Sequence, residues 1–385
     1  MTKPDDDDEI DEDETEEGVD GDGAALPGQE TLEERYASQM RQVFLQKIEL
    51  PIKTLTSLEG ETLDLSPSFQ RRDVWNTEKQ SRFIESIIMN VPIPPVFLGE
   101  NEYGHYVVLD GRQRLTALLS YMNGTYALTK LRVWKDLNDL RFADLKIRGL
   151  DAAITRRFVP AILLLKESSQ DLQYDVFDRL NTGGVIAETM EIRNAVYRGK
   201  FTDQLKVWAD SADFRRLWGI PLDDVARQTD SKLYQRMRDL ELVLRLFALA
   251  DSTSYEAEKL AFKDYLSQFM TLRNRAYAQD PTLVAADTKR FEFGLRNILT
   301  TFGETAFVRI QGGKRSAPLA DALFAAFCER DPAKINQRKL KIKAALEKLR
   351  SDPAYMKALS RGTNGRGAIR ERINRSITAV DAALA

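Results

Sequence analysis

Asp110-Gly111-Arg112-Gln113-Arg114 sets a carboxylate, a glycine, an amide and two guanidiniums within five residues. The flanking residues say what such a group could do. Tyr106 to Leu109 is a short apolar run of strand type that Asp110-Gly111 interrupts. From Arg112 to Met122, apolar residues recur at Leu115, Leu118, Leu119 and Met122, the spacing of a buried helix face, and Asn123-Gly124 supplies the C-cap. In a strand, turn and helix of this kind, the first backbone N–H groups of the helix and its dipole face an anion. Arg112 and Arg114 would sit at the wrong end of that dipole, each disfavoured by about 0.3–1 kcal/mol. A bound polyphosphate removes the conflict, since a guanidinium grips phosphate oxygens bidentately. The competing reading is structural: Asp110 caps the helix and the arginines pair with neighbouring acids. The residues alone leave both open.

Other segments add to the set. Gln70-Arg71-Arg72 brings an amide and two cations ahead of a helix whose start reads as a Thr77/Gln80 capping box. Trp75 could stack on a base, although a tryptophan beside a helix start is more often core. Asn181-Thr182-Gly183-Gly184 offers an amide, a hydroxyl and two glycines that let backbone approach a ligand, or it is a plain connection between helices. Residues 330–385 hold 14 Lys/Arg against 5 acids. There Arg361 and Arg366 lie in a Gly-rich basic loop, and a helix with Arg370, Arg372 and Arg375 follows. Contact with a nucleic-acid backbone through Arg361, Arg366 and Arg370 competes with a merely solvated helix face.

Scarcity excludes several chemistries. The single cysteine, Cys328, rules out an internal disulfide and a Cys-rich zinc site. The single histidine, His105, rules out sites that need two imidazoles, and Glu102-Tyr103-Gly104-His105 reads as a hairpin tip. Catalysis here would rest on carboxylates, arginines, amides and a divalent ion. The net charge of −3 divides into −15 over residues 1–34 and +12 over the rest. A basic body of this kind suits a polyanionic partner, and the acidic tail reads as disordered. No apolar run approaches a membrane span, and the acidic N-terminus is no secretory signal, so the expected location is cytoplasmic. An oligomer is compatible with all of this.

Periodicity predicts the elements. A helix is expected over Thr31 to about Gln46 and a short strand within 62–69. A helix carrying Phe83, Ile84, Ile87 and Ile88 should stop before Pro92. Strands are expected at Ile93–Leu98, Tyr106–Leu109, Tyr126–Trp134 and Phe158–Leu165, and helices on either side of residues 181–184. Beyond about residue 200 only helices are expected: Leu233–Ala250, Glu256–Ala278, Thr288–Phe302, Pro318–Cys328 and Ala333–Arg350. The fold class is α+β, with an acidic tail over 1–34, an α/β domain over 35–200 and a helical domain with a basic end over 201–385.

Four ordered segments resemble the signatures of the N-terminal domain of GmrSD-type restriction proteins, related to the ParB/sulfiredoxin-like superfamily. They are Ser68 to Trp75, Pro92-Ile93-Pro94-Pro95-Val96, Val108 to Thr116 and Phe177 to Gly184. Gly111-Arg112-Gln113-Arg114 is similar to the ParB Gly-x-x-Arg phosphate motif. The resemblance implies a ParB/sulfiredoxin-like mixed α/β domain that binds and hydrolyses a nucleoside triphosphate with Mg²⁺, in defence against foreign or modified DNA. By motif position it implies Gly111, Arg112, Gln113 and Arg114 at the phosphates, with Asp110, Gln70, Arg71, Asn181 and Gly183 beside them. Asp110 and Arg114 are then the candidate catalytic residues and Asp110 the candidate metal ligand. Long members of the family end in a His-Asn-His-type nuclease domain. One histidine cannot furnish it, so any nuclease is expected to be a separate partner. The alternatives are a ParB-like metal-dependent nuclease working through Asp110 and a non-enzymatic DNA-binding adaptor.

Overall fold

A computed structural model describes residues 44–64, 75–100, 104–168, 174, 176, 189–222, 231–250, 255, 260–309 and 313–385. The expected segments 1–34 and 68–74, and the turn at 181–184, lie outside them. Contacts divide the chain into two compact units, with the break between Val196 and Tyr197.

The first unit is built on a five-stranded mixed sheet. Its elements are β1 (Leu45–Pro51), α1 (Ile52–Leu58), β2 (Leu63–Asp64), α2 (Thr77–Ile88), β3 (Val96–Glu100), β4 (Tyr106–Asp110), α3 (Arg112–Met122), α4 (Phe142–Ile147), α5 (Ala152–Thr155), β5 (Phe158–Leu164) and α6 (Thr189–Val196). The strand order is β1-β5-β3-β4-β2; β5 runs antiparallel to β1 and parallel to β3, and β4 antiparallel to β3 and parallel to β2. Pro160 stands in β5 opposite Glu49 of β1, whereas pairing with β3 begins only at Ala161, so its missing N–H breaks no ladder on that side. Ile52, Leu55, Ile84, Val96, Leu115 and Leu118 form a common core between sheet and helices.

Several expectations are corrected here. Leu45 and Gln46 belong to β1, so the helix expected from Thr31 does not reach Gln46. The cap of α2 is Asn76, whose side chain accepts from Lys79 N–H; Thr77 is already helical. The strand expected from Ile93 starts at Val96 because Pro94 and Pro95 have no N–H to give to a ladder. Tyr126–Trp134 is not a strand. Five of its N–H groups are taken by side chains instead: Thr129 donates to Ser81 Oγ, Leu131 to Asn138 Oδ1, and Arg132, Val133 and Trp134 to the Glu85 carboxylate. Ser81 and Glu85 are buried on α2 one turn apart, and they satisfy the loop as a neighbouring strand would have done.

The second unit is helical apart from one isolated bridge, Val308 to Arg315. Its described helices are α7 (Lys200–Ala209), α8 (Ala212–Trp218), α9 (Lys232–Gln235), α10 (Arg238–Leu249), α11 (Phe262–Gln279), α12 (Leu283–Phe302), α13 (Ala317–Phe327), α14 (Pro332–Leu349), α15 (Pro353–Ala358) and α16 (Arg366–Leu384). The single helix expected over Leu233–Ala250 is two, because Met237 adopts a left-handed conformation at φ 54° and its carbonyl starts α10. Trp208 stacks on Phe247 with centroids 4.4 Å apart, and Phe291 and Phe324 extend the aromatic core. At Gly294 a side chain has no room: a Cβ would lie 2.6 Å from Phe324 Cε2.

Candidate phosphate-binding site

β4 delivers Asp110 to the start of α3 through a kink. Leu98 faces Val108 and Phe97 faces Asp110, so Leu109 is an extra residue in the ladder, and such a bulge re-aims the residue that follows. Gly111 is the N-cap of α3 at φ 91°. A Cβ there would fall 2.9 Å from Val96 Cβ and closer still to its Cγ1, so both backbone conformation and space demand glycine. No acidic residue lies in the first turn of α3, and no side chain caps it. Asp110 therefore does not cap the helix.

Arg114 is turned back onto the protein. Its Nη2 donates to Asp110 Oδ2 at 2.7 Å, and its Nη1 donates to the Pro94 carbonyl and, at 3.4 Å, to that of Pro95. The Arg114 side chain is 14 % exposed and that of Asp110 42 %. The guanidinium thus ties the end of β4 to the two prolines that lead into β3, and it satisfies carbonyls that no strand pairs. This is the local ion pair that the structural reading of the sequence anticipated.

Gln113 accepts the Trp75 N–H at 3.1 Å through its side-chain oxygen. Trp75 immediately precedes the Asn76 cap, so this one bond draws the starts of α2 and α3 together. Two helix N-termini converge there, and with them two sets of backbone N–H groups of positive potential. The Trp75 ring meets Phe83 edge-on at 5.9 Å and carries Lys79 Nζ above it at 4.7 Å. Arg112 is half-buried. Gln70, Arg71, Asn181 and Gly183 lie outside the described residues. His105 is exposed in the β3–β4 connection, five residues before Asp110, which is about 17 Å away at strand rise.

A second anion cradle lies on the same helix α2, with its anion built in. Burial by itself would raise the Glu85 carboxyl, but N–H groups of Trp134, Val133 and Arg132 outweigh it and hold the group below the ordinary carboxylate range. The 132–134 backbone shows how readily this unit surrounds a carboxylate with amides.

The expected DNA-contacting arginines differ in character. Arg361, Arg366 and Arg370 are all exposed, and Arg366 also donates to the Leu260 carbonyl at 2.9 Å and lies 5.8 Å above the Tyr255 ring. Arg372 and Arg375 do not form a solvated face. Arg372 is fully buried and shares Asp321 Oδ2 with Arg245, at 3.0 and 2.8 Å. Burial pulls the Arg372 guanidinium down to about 10 despite the Asp321 carboxylate. Arg375 pairs with Asp352 and Glu371. The 362–365 turn is held as well: the Thr363 carbonyl accepts from Arg372, and the Asn364 side chain and carbonyl accept from Arg245 and Tyr255. The helix expected at Ala333–Arg350 is α14 (Pro332–Leu349), but sequence reasoning did not single out its exposed cations, whose signal lies in the spacing of Lys334, Arg338 and Lys341.

A mixed sheet with a glycine-pinned, arginine-bearing helix start defines the α+β domain. Residues 52–198 match the family model described as GmrSD restriction endonuclease, N-terminal domain, from the first residue of α1 to two residues past α6. The match covers less than half of the chain and concerns this segment alone. Comparisons with curated proteins and with solved structures returned no match. No helix among the described residues is long and apolar enough to cross a membrane.

Proposed function

We propose that the N-terminal domain binds a nucleoside triphosphate with its phosphates at the start of α3, and that hydrolysis governs how the chain associates with DNA in a restriction-type defence system. The observation carrying this reading is the convergence of the α2 and α3 N-termini through the Trp75–Gln113 bond, over a turn where Gly111 leaves the backbone bare. The first-turn N–H groups of α3 and the Arg112 guanidinium hold phosphate oxygens. Asp110 and Arg114 act as a positioning pair: Asp110 orients Arg114, and Arg114 fixes the turn against Pro94 and Pro95. Gln70, Arg71, Asn181 and Gly183 complete the site in this reading.

A divalent ion fits only as a joint ligand. Among the described residues no three His, Cys, Asp or Glu side chains gather as a metal site, and Asp110 has one oxygen engaged by Arg114. Mg²⁺ needs few protein ligands when phosphates supply the rest, so Asp110 would hold it together with the nucleotide. When bound, the ion supplies neutralisation of phosphate charge. In this reading DNA cleavage belongs to a separate partner nuclease, as expected of a chain with a single histidine. Arg361, Arg366 and Arg370 are proposed contacts to DNA.

Calorimetric titration of the full chain with ATP, GTP, CTP and UTP in Mg²⁺ tests the reading. One of the four should bind saturably, and Arg112→Ala should weaken it about tenfold or more, the worth of one charged hydrogen bond. Failure of the wild-type chain to bind any of them would overturn the proposal.

A further inference from the structure

Several arginines of the helical unit are held in ion pairs. Arg245 and Arg372 share Asp321, Arg375 sits on Asp352, Arg330 on Asp381, Arg290 on Glu329 and Arg273 on Asp287. α14 instead gathers exposed cations along one helix. Over Pro332–Leu349 it carries six Lys/Arg against one acid, Glu347, and that acid reaches only Lys343, at 3.9 Å. Lys334, Arg338, Lys341 and Lys348 are exposed and stand in no ion pair among the described residues.

Helical geometry gathers these four. At about 100° per residue they fall within an arc of about 80°, and at 1.5 Å per residue they span about 21 Å. The helix buries Ile335, Ile342 and Leu346, so the cationic row runs along a flank roughly a quarter-turn from the buried face. α14 is anchored behind that face: its start is tied to the end of α16 by Arg330 and Asp381, and α16 and α12 pack against it. A rigid rod with one charged flank needs a partner whose charge is also regular and extended.

We infer that the Lys334–Arg338–Lys341–Lys348 flank of α14 is a contact surface for the phosphate backbone of double-stranded nucleic acid, which rests on the DNA association proposed above but assigns it to different residues. Duplex DNA carries one negative charge per about 1.7 Å of axis, so a stretch as long as the row offers roughly a dozen phosphates. The outward pole beside the row holds one large apolar residue, Leu340, with Ala333, Ala344, Asn336 and Gln337, far too little apolar surface for a helix lying in a bilayer. The contact is sequence-independent, because lysines and an arginine on phosphates read no base edge. The acidic stretch 1–34, at −15, is the competing occupant within the chain.

The test is fluorescence anisotropy of a labelled 30-base-pair duplex with the full chain, without nucleotide, in KCl from 50 to 200 mM. Replacing Lys334, Arg338, Lys341 and Lys348 by Gln should reduce the slope of log affinity against log salt by about 3.6, at 0.9 per phosphate contact. Over that salt range the wild-type loss of affinity should exceed the variant's by on the order of 100-fold. Exchanging Lys334, Lys341 and Lys348 for Arg should keep the wild-type slope. An unchanged slope in the Gln variant overturns the assignment to α14 while leaving DNA association intact, and is the result expected if the acidic stretch occupies the flank. A wild-type chain that fails to bind the duplex at 50 mM KCl overturns both.

Discussion

Substituting Gly111 by Ala tests whether the turn at the head of α3 is held as tightly as its geometry indicates. Two costs add. An L-residue at φ 91° is forced toward the left-handed region, at about 1–2 kcal/mol. The new methyl would also lie 2.9 Å from Val96 Cβ, and Val96 is itself fully buried, so the core must shift at about 1–3 kcal/mol. The sum, about 2–5 kcal/mol, corresponds to a fall of roughly 10 °C in the melting temperature of a unit of this size. Val96→Ala separates the terms. It removes the nearer Cγ1 contact but neither the Cβ contact nor the backbone strain, so the double variant should be more stable than additivity predicts by about 1–2 kcal/mol. Scanning calorimetry of the full chain gives the melting temperatures, and hydrogen exchange of peptides from 96–122 assigns the transition. A Gly111→Ala chain melting within 1 °C of wild type, or strict additivity with Val96→Ala, refutes the reasoning.

Two further predictions concern buried charge. Glu85→Gln keeps the shape but sets an amide N–H against one of the donors the carboxylate receives, and should destabilise by about 1–3 kcal/mol at pH 7. Because the folded carboxyl titrates lower than the unfolded one, its contribution is complete above the unfolded value and lost as pH falls through the folded value; the gap in melting temperature between wild type and variant should therefore be full at pH 7 and close below about pH 4. A pH-independent gap would count against the cradle. Asp321→Asn leaves two buried guanidiniums without their carboxylate and should cost about 3–5 kcal/mol, whereas Arg372→Met leaves a one-to-one pair and should cost less. Urea unfolding of both variants checks the order, and the reverse order rejects it.

The helix at 112–122 was legible in full because everything that makes it is local: an apolar strand, a glycine no other residue could replace, and apolar residues three and four apart. The side chain of Arg114 was not. Its direction depends on the Pro94 and Pro95 carbonyls, some twenty residues upstream, which lack a strand partner. The stretch 126–134 has strand composition, and only the placement of Ser81 and Glu85 on α2 turns its amides away from a ladder. In the helical unit, Arg370 and Arg372 look alike in sequence, yet one faces water and the other fills the core beside Asp321. The break at Met237 had no glycine or proline to announce it.

The shared carboxylate at Asp321 bears on how this protein can change. Two guanidiniums meet one anion in the interior, and a carbonyl oxygen of Thr363 and an amide oxygen of Asn364 also accept from them. Arg245, Asp321 and Arg372 come from three different helices, so single replacements strand a charge and a tolerated exchange must alter several sites together. At Thr363 the contribution is a backbone oxygen, which is blind to side-chain identity. Position 363 is accordingly free to vary as long as the turn keeps its path, whereas Asn364, which gives a side-chain oxygen, belongs with the ion cluster that can drift only as a unit.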